Sequence, residues 1–243
     1  MSNERNPLFA QLPVELSENL RSINPWWAGK PATPLPAFRR WPFGRLKHLL
    51  TAGMTQATVL RGPRRVGKTV LLRQIIEALL EAGTSARRML YAPFDELPTL
   101  AGIKEPVLTI ARWFEGEILG CTFNEAAKQK EPAFLFLDEV QNLEAWAPQI
   151  KNLVDNHAVR VLVTGSSSLR IEAGRDSLAG RITTLDLGPL LRLGRGEDLT
   201  GGRTRESILA TTLEALLGVI YLEDGLDAVR GVVARLGGGP SRG

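Results

Sequence analysis

A single cysteine, Cys121, is present in the 243-residue chain, so no disulfide can form within it and no cysteine-rich zinc site can be assembled. A reducing, cytoplasmic setting is therefore expected. Long hydrophobic runs are also missing. None approaches the roughly 20 residues of a membrane span, and Met1 to Leu12 has no signal-peptide core, so neither membrane nor export is expected. Charge of one sign is scarce as well. Thirty Lys and Arg against 26 Asp and Glu leave a net charge of +4, too small to imply nucleic acid by itself. What remains is a hydrophobic content of 44% and a charged content of 23%, ordinary for a globular protein. The length allows one large α/β domain, or one domain with a small appendage.

The most informative stretch is Gly62-Pro63-Arg64-Arg65-Val66-Gly67-Lys68-Thr69. Glycines at its two ends let the backbone curl so that successive N–H groups point at phosphate oxygens. Lys68 can then reach the β and γ phosphates, and the Thr69 hydroxyl can ligate Mg²⁺. The setting matches this chemistry. Thr58-Val59-Leu60 precedes the loop as a short apolar strand, and Leu72, Ile75, Ile76, Leu79 and Leu80 follow at helical spacing, with Gly83 placed to end the helix. The expected ligand is ATP or GTP, seated at the helix N-terminus. Arg61, Arg64, Arg65 and Arg73 surround the loop, where phosphate attraction accounts for them.

Phe134-Leu135-Phe136-Leu137 is a fully apolar run such as a strand buried on both faces requires, and it delivers Asp138 and Glu139 at its C-terminal end. Asp138 is expected to hold Mg²⁺ and Glu139 to polarise the water that attacks the γ-phosphate. A third strand, Val159 to Val163, runs into Thr164-Gly165-Ser166-Ser167-Ser168, a polar cluster that can sense the γ-phosphate, cap the next helix, or do both.

The first fifty residues hold Asn24-Pro25-Trp26-Trp27 and the proline-rich stretch Pro31 to Pro36, and they read as an extended arm. Arg40, Trp41 and Phe43 could lie over an adenine base or pack the arm onto the domain. Arg88-Met89-Leu90-Tyr91-Ala92 reads as another strand. Apolar helical segments follow at Val107 to Leu119 and at Trp146, Ile150, Leu153 and Val154. Strands alternating with helices argue for a parallel sheet with helices on both faces.

Asn24-Pro25-Trp26-Trp27, Arg61 to Thr69, Leu137-Asp138-Glu139-Val140-Gln141, Thr164 to Ser168 and Leu178-Ala179-Gly180-Arg181 occur in an order that resembles a large prokaryotic family of AAA-type P-loop ATPases, over about residues 20–187. The resemblance implies an α/β, ASCE-type P-loop NTPase sheet in which the sensor strand lies between the loop strand and the acidic strand. It implies ATP and Mg²⁺ as cofactors, with Lys68, Thr69, Asp138 and Glu139 in the roles above. Thr164 or Ser166 would be the sensor. Arg181 would stabilise charge on the transferring phosphoryl group, in cis or from a neighbouring subunit, or else serve as a solubilising charge at a strand edge.

Beyond Leu187 the chain departs from that family, whose pattern calls for a helical lid and a long C-terminal domain. Gly194-Arg195-Gly196-Glu197, Gly201-Gly202-Arg203, Ser207-Ile208-Leu209-Ala210 and Glu214 to Leu222 resemble the C-terminal part of the ribonuclease III catalytic domain. Those enzymes hydrolyse double-stranded RNA with carboxylate-bound Mg²⁺. Glu214 matches a metal-binding glutamate there. Thr211 stands where the family has an aspartate, and the family's earlier acidic helix is absent, so independent RNA cleavage is not expected, and RNA remains the partner of the alternative reading. Read from the residues alone, Ser207 to Leu222 and Leu226, Val229, Val233 and Leu236 are two apolar helices that either dock on the ATPase domain or pair between subunits as a homo-oligomer. The expected organisation is an arm over 1–50, a P-loop ATPase domain over 51–187, a helical ribonuclease III-like fragment over 188–237 and a disordered tail over 238–243.

Overall fold

The computed structural model describes residues 11–53, 57–97, 100, 102–166, 182–187 and 206–237, with side chains of the last segment from 213 to 234. The chain divides into two compact units, Met1–Leu187 and Gly188–Gly243. The tail expected over 238–243 lies outside the described residues.

The first unit is built on five strands, β1 (Ala57–Arg61), β2 (Met89–Pro93), β3 (Phe134–Asp138), β4 (Arg160–Gly165) and β5 (Ile182–Asp186), in the order β2-β3-β4-β1-β5. Every pairing is parallel, and β4 lies between β1 and β3, with Val59 opposite Val163 and Leu135 opposite Val161. The fold is thus the α/β P-loop NTPase arrangement, with β4, which ends in Thr164 and Gly165, inserted between the loop strand and the acidic strand.

Period-two side-chain alternation divides the core between the two faces of this sheet. Leu135 and Leu137 of β3, Val59 of β1 and Val161 and Val163 of β4 enter one cluster. They meet α1 (Val14–Ile23), α4 (Pro106–Phe114) and α6 (Trp146–Asn156) through Leu16, Leu20, Val107, Ile110, Ile150 and Leu153. Phe134, Phe136, Leu60 and Leu162 enter the other, against α2 (Phe43–Thr51) and α3 (Lys68–Glu81) through Leu46, Leu50, Leu71, Leu72 and Ile75. A short helix, α5 (Phe123–Lys128), starts with Thr122 and Glu125 in a reciprocal capping box.

Three features differ from the sequence reading. Residues 1–50 are not simply extended: α1 forms because Leu16 and Leu20 are one helical turn apart and both are buried, and α2 forms on Leu46, Leu49 and Leu50. The prolines and tryptophans between them masked two short helical periods. The apolar segment Val107 to Leu119 starts as α4 and widens into a π turn over Glu115–Leu119, where the buried Glu115 accepts the Phe123 N–H at 2.7 Å. Strand β5, which the sequence reading did not anticipate, buries only Leu185 fully among its five residues. Helix α3 ends as expected, with Gly83 at φ 88° and Thr84 N–H bonded back to Leu79 O at 3.0 Å.

In the second unit the helical segment α7 (Glu206–Gly237) is interrupted at Gly225, whose φ of 80° and ψ of −177° are not helical, so it comprises two helices as the apolar spacing suggested. No helix among the described residues is long and apolar enough to cross a membrane.

Candidate functional site

The loop from Gly62 to Gly67 connects β1 to α3 at the C-terminal end of the sheet. Its first glycine is set by close approach: a Cβ at Gly62 would lie 2.1 Å from Leu187 O, and Leu187 N–H in turn donates to Arg61 O at 2.7 Å. Arg65 and Gly67 both take left-handed backbone, at φ 63° and 88°, and turn the chain into α3 with Gly67 at the N-cap. The first-turn amides of a helix have no intrahelical acceptor, so the loop opens on a ring of donors.

Lys68 is 4% exposed. Its ammonium lies inside the loop, donating to Gly62 O at 3.2 Å and Pro63 O at 3.0 Å, and it stands 3.5 Å from the Glu139 carboxylate. These carbonyls occupy the donors that an anion in the loop would otherwise take.

Asp138, 1% exposed, ends β3. Its carboxylate accepts the hydroxyls of Thr164 and Tyr91, the latter at 3.2 Å, and the Thr69 hydroxyl lies near it. Burial raises its pKa, the hydroxyls of Thr164 and Thr69 oppose that, Glu139 adds to it, and the Tyr91 hydroxyl again opposes it. The Tyr91 pKa is itself pushed far up, first by burial and then by the Asp138 charge, so the phenol is a donor at neutral pH.

Glu139 follows in left-handed backbone at φ 53° and ψ 45°. This turn is fastened by the Glu139 N–H to Thr164 Oγ1 at 3.1 Å, by the Gln141 side-chain amide donating to the Glu139 carboxylate, and by Ser166 N–H donating to Gln141 Oε1 at 3.2 Å. Thr164 thus bonds both acidic residues through its own hydroxyl, and Ser166 is linked to Glu139 through its backbone N–H and Gln141.

The loop residues Gly62 through Thr69, the acidic pair and the polar end of β4 therefore meet at one end of the sheet. Arg181 lies outside the described residues. Trp41 is 66% exposed, and Phe43 carries the Arg39 guanidinium over its ring at 4.3 Å. Tyr91 and Gln141 were not singled out for a role by sequence. No local pattern marks Tyr91, because its link to Asp138 comes from the β2–β3 register, with Tyr91 beside Phe136 and Pro93 beside Asp138. A cavity of about 280 Å³ opens beside this cluster, lined by Thr69, Arg73, Tyr91, Glu96 and Trp26.

Among the described residues no group of three or more His, Cys, Asp and Glu side chains could cage a metal. The donors present, the Thr69 hydroxyl and the Asp138 carboxylate, are hard oxygens. Such a pair fits Mg²⁺ held mainly by phosphate and water rather than by protein. In the second unit Glu214 is exposed, and the Thr211 side chain lies outside the described residues.

Comparison with known proteins gives two matches along the chain. The AAA domain description matches residues 54–192, more than half of the chain, and the Ribonuclease-III-like description matches residues 164–236. Individual relatives are ribonucleases. Ribonuclease 3 of Caldanaerobacter subterraneus is 52% identical over 60 residues, which is 25% of this chain and 26% of that protein. Ribonuclease 3 of Streptomyces coelicolor is 60% identical over 52 residues, 21% of this chain and 19% of the relative. Ribonuclease 3 of Variovorax paradoxus is 40% identical over 108 residues, 41% of this chain and 46% of the relative. The chain spans less than half the length of each of these relatives.

Proposed function

The chain belongs to the AAA domain family, and from that premise we propose that it binds ATP with Mg²⁺ at the Gly62–Thr69 loop and hydrolyses it there. The observation that carries this reading is the convergence of Lys68, Thr69, Asp138 and Glu139 from two separate segments onto one end of a parallel sheet. Ligands of open α/β sheets sit at that end.

On nucleotide entry, Lys68 exchanges the carbonyls of Gly62 and Pro63 for β and γ phosphate oxygens. Thr69 and Asp138 would hold Mg²⁺, which would offset negative charge on the nucleotide phosphates. As Lys68 turns to phosphate, the Glu139 carboxylate loses a cationic neighbour at 3.5 Å and is left to take a proton from the attacking water. Thr164, bonded to both carboxylic residues, aligns them with each other, and Ser166 steadies the Glu139 turn through Gln141. Arg181 is assigned to charge on the transferred phosphoryl group, in cis or from a neighbouring subunit. Family membership favours ATP over GTP, and the single thiol favours the cytoplasm.

Titration of a fluorescent ATP analogue with Mg²⁺ tests binding: Lys68→Ala is expected to weaken affinity by roughly tenfold or more. Glu139→Gln separates chemistry from binding. Turnover should fall by about 10²-fold or more while affinity is kept. A Glu139→Gln rate equal to wild type would remove Glu139 as the base.

A second reading rests on the Ribonuclease-III-like match over residues 164–236: a double-stranded RNA-processing protein in which Glu214 contributes to a metal site. With threonine at position 211 the same helix carries one carboxylate fewer than that chemistry uses. Incubation with duplex RNA and Mg²⁺ decides. Cleavage lost in Glu214→Gln and kept in Lys68→Ala would favour this reading over the first.

A further inference from the structure

Among the described strands β2 is an edge of the sheet, pairing only with β3. An edge strand leaves a row of backbone groups without a ladder partner. Here that row is taken by side chains of the segment between α1 and α2. Asn24 Oδ1 accepts Tyr91 N–H at 2.7 Å, and Asn24 Nδ2 donates to Tyr91 O at 2.9 Å and to Leu20 O at 2.7 Å. The indoles of Trp26 and Trp27 both donate to Met89 O, at 3.3 and 2.8 Å. Asn24 is fully buried, so losing it would strand the Tyr91 amide and carbonyl.

The residue held most firmly by this clasp is therefore Tyr91, and its hydroxyl reaches Asp138 Oδ2 at 3.2 Å. Its ring is 6% exposed and packs in the cluster beneath α3, which leaves the hydroxyl little freedom to turn away. Of the two hydroxyls bonded to Asp138, that of Thr164 belongs to β4. The other, that of Tyr91, comes from β2 on the opposite side of β3, a strand to which no role had been assigned.

We propose that Tyr91 is a positioning residue for Asp138: its hydroxyl, fixed from the sheet edge by Asn24, holds one carboxylate oxygen in place and so makes metal-dependent nucleotide binding depend on residues 24–27. This rests on the reading that Asp138 serves Mg²⁺. Groups that orient a metal-binding carboxylate typically change metal affinity by about 10- to 100-fold when removed. The Asn24-Pro25-Trp26-Trp27 motif then has a function beyond closing an exposed edge, because the same two bonds that satisfy Tyr91's backbone aim its side chain.

The test is the affinity of a fluorescent ATP analogue measured in EDTA and in saturating Mg²⁺, for wild type, Tyr91→Phe, Asn24→Ala and Lys68→Ala. The quantity read is the gain in affinity on adding Mg²⁺. Tyr91→Phe should keep its EDTA affinity and lose roughly tenfold of the Mg²⁺ gain, with Asn24→Ala losing a smaller part of it. A Tyr91→Phe protein with the full gain overturns the proposal, as does one weakened equally in EDTA, which would make Tyr91 merely structural. An Asn24→Ala protein with the full gain removes the link to the sheet edge. A wild type without any gain, or with affinity equal to Lys68→Ala, overturns the nucleotide reading itself and this inference with it.

Discussion

In the Met1–Leu187 unit, Phe134, Phe136, Leu60 and Leu162 sit on one face of the sheet and Leu135, Leu137, Val59 and Val163 on the other, all of them buried. In the Gly188–Gly243 unit, Leu213, Leu216, Val219, Tyr221, Leu222, Leu226 and Val233 of α7 are exposed, Leu222 to 82%. Both regions are rich in apolar residues, but among the described residues only the first has two layers of helix to close over them. The comparison shows what helical or strand periodicity does and does not supply. It specifies a face. A core needs a second face from elsewhere in the chain, and only with a core in place can polar groups such as Asp138 be held buried against named donors.

The largest expected effect breaks the first region. Phe136→Ala empties the middle of the interior strand β3, where the side chain is fully buried, and should cost about 3–5 kcal/mol in chemical denaturation. Gly62→Ala comes next. The added methyl would meet Leu187 O at 2.1 Å, so the loop or the end of β5 must shift, with a loss of about 1–3 kcal/mol and weaker nucleotide binding in the same preparation.

A smaller and sign-specific effect belongs to Glu115, whose pKa burial raises above the ordinary 4.5 while the Phe123 N–H opposes the rise. A carboxyl with a raised folded pKa contributes stability that is present below its unfolded pKa and is lost as pH rises through the folded one. Glu115→Gln keeps an acceptor for the Phe123 N–H without the charge. It should therefore be at least as stable as wild type near about pH 7, with the difference shrinking toward about pH 4, in urea midpoints taken across that range. The smallest effect sharpens the contrast with the second region: Leu222→Ala should change stability by no more than about 0.5 kcal/mol, since that side chain is already in water. A loss of several kcal/mol there would mean that α7 is covered in solution.

Much of the sheet was legible from sequence because each of β1 to β4 is a short, largely apolar run, and β3 in particular is apolar on both faces. Strand β5 was not, because Ile182-Thr183-Thr184-Leu185-Asp186 buries one face only, and among the described strands it pairs only with β1. In the site, Lys68, Thr69, Asp138 and Glu139 stood out through spacing and strand ends. Tyr91 and Asn24 did not. Their contribution depends on which strands are neighbours and on a side chain standing in for a missing strand, and neither is written in local sequence. The helices at 14–23 and 43–51 were hidden for a related reason: two or three leucines per helix suffice when a sheet face waits beneath them.

The central claim, that the loop Gly62 to Thr69 is a nucleotide site, is tested most directly by titrating a fluorescent ATP analogue with Mg²⁺ against wild type and Lys68→Ala. Saturable binding by the wild type, weakened by roughly tenfold or more in Lys68→Ala, is the predicted result. Equal affinity in the two proteins would contradict it.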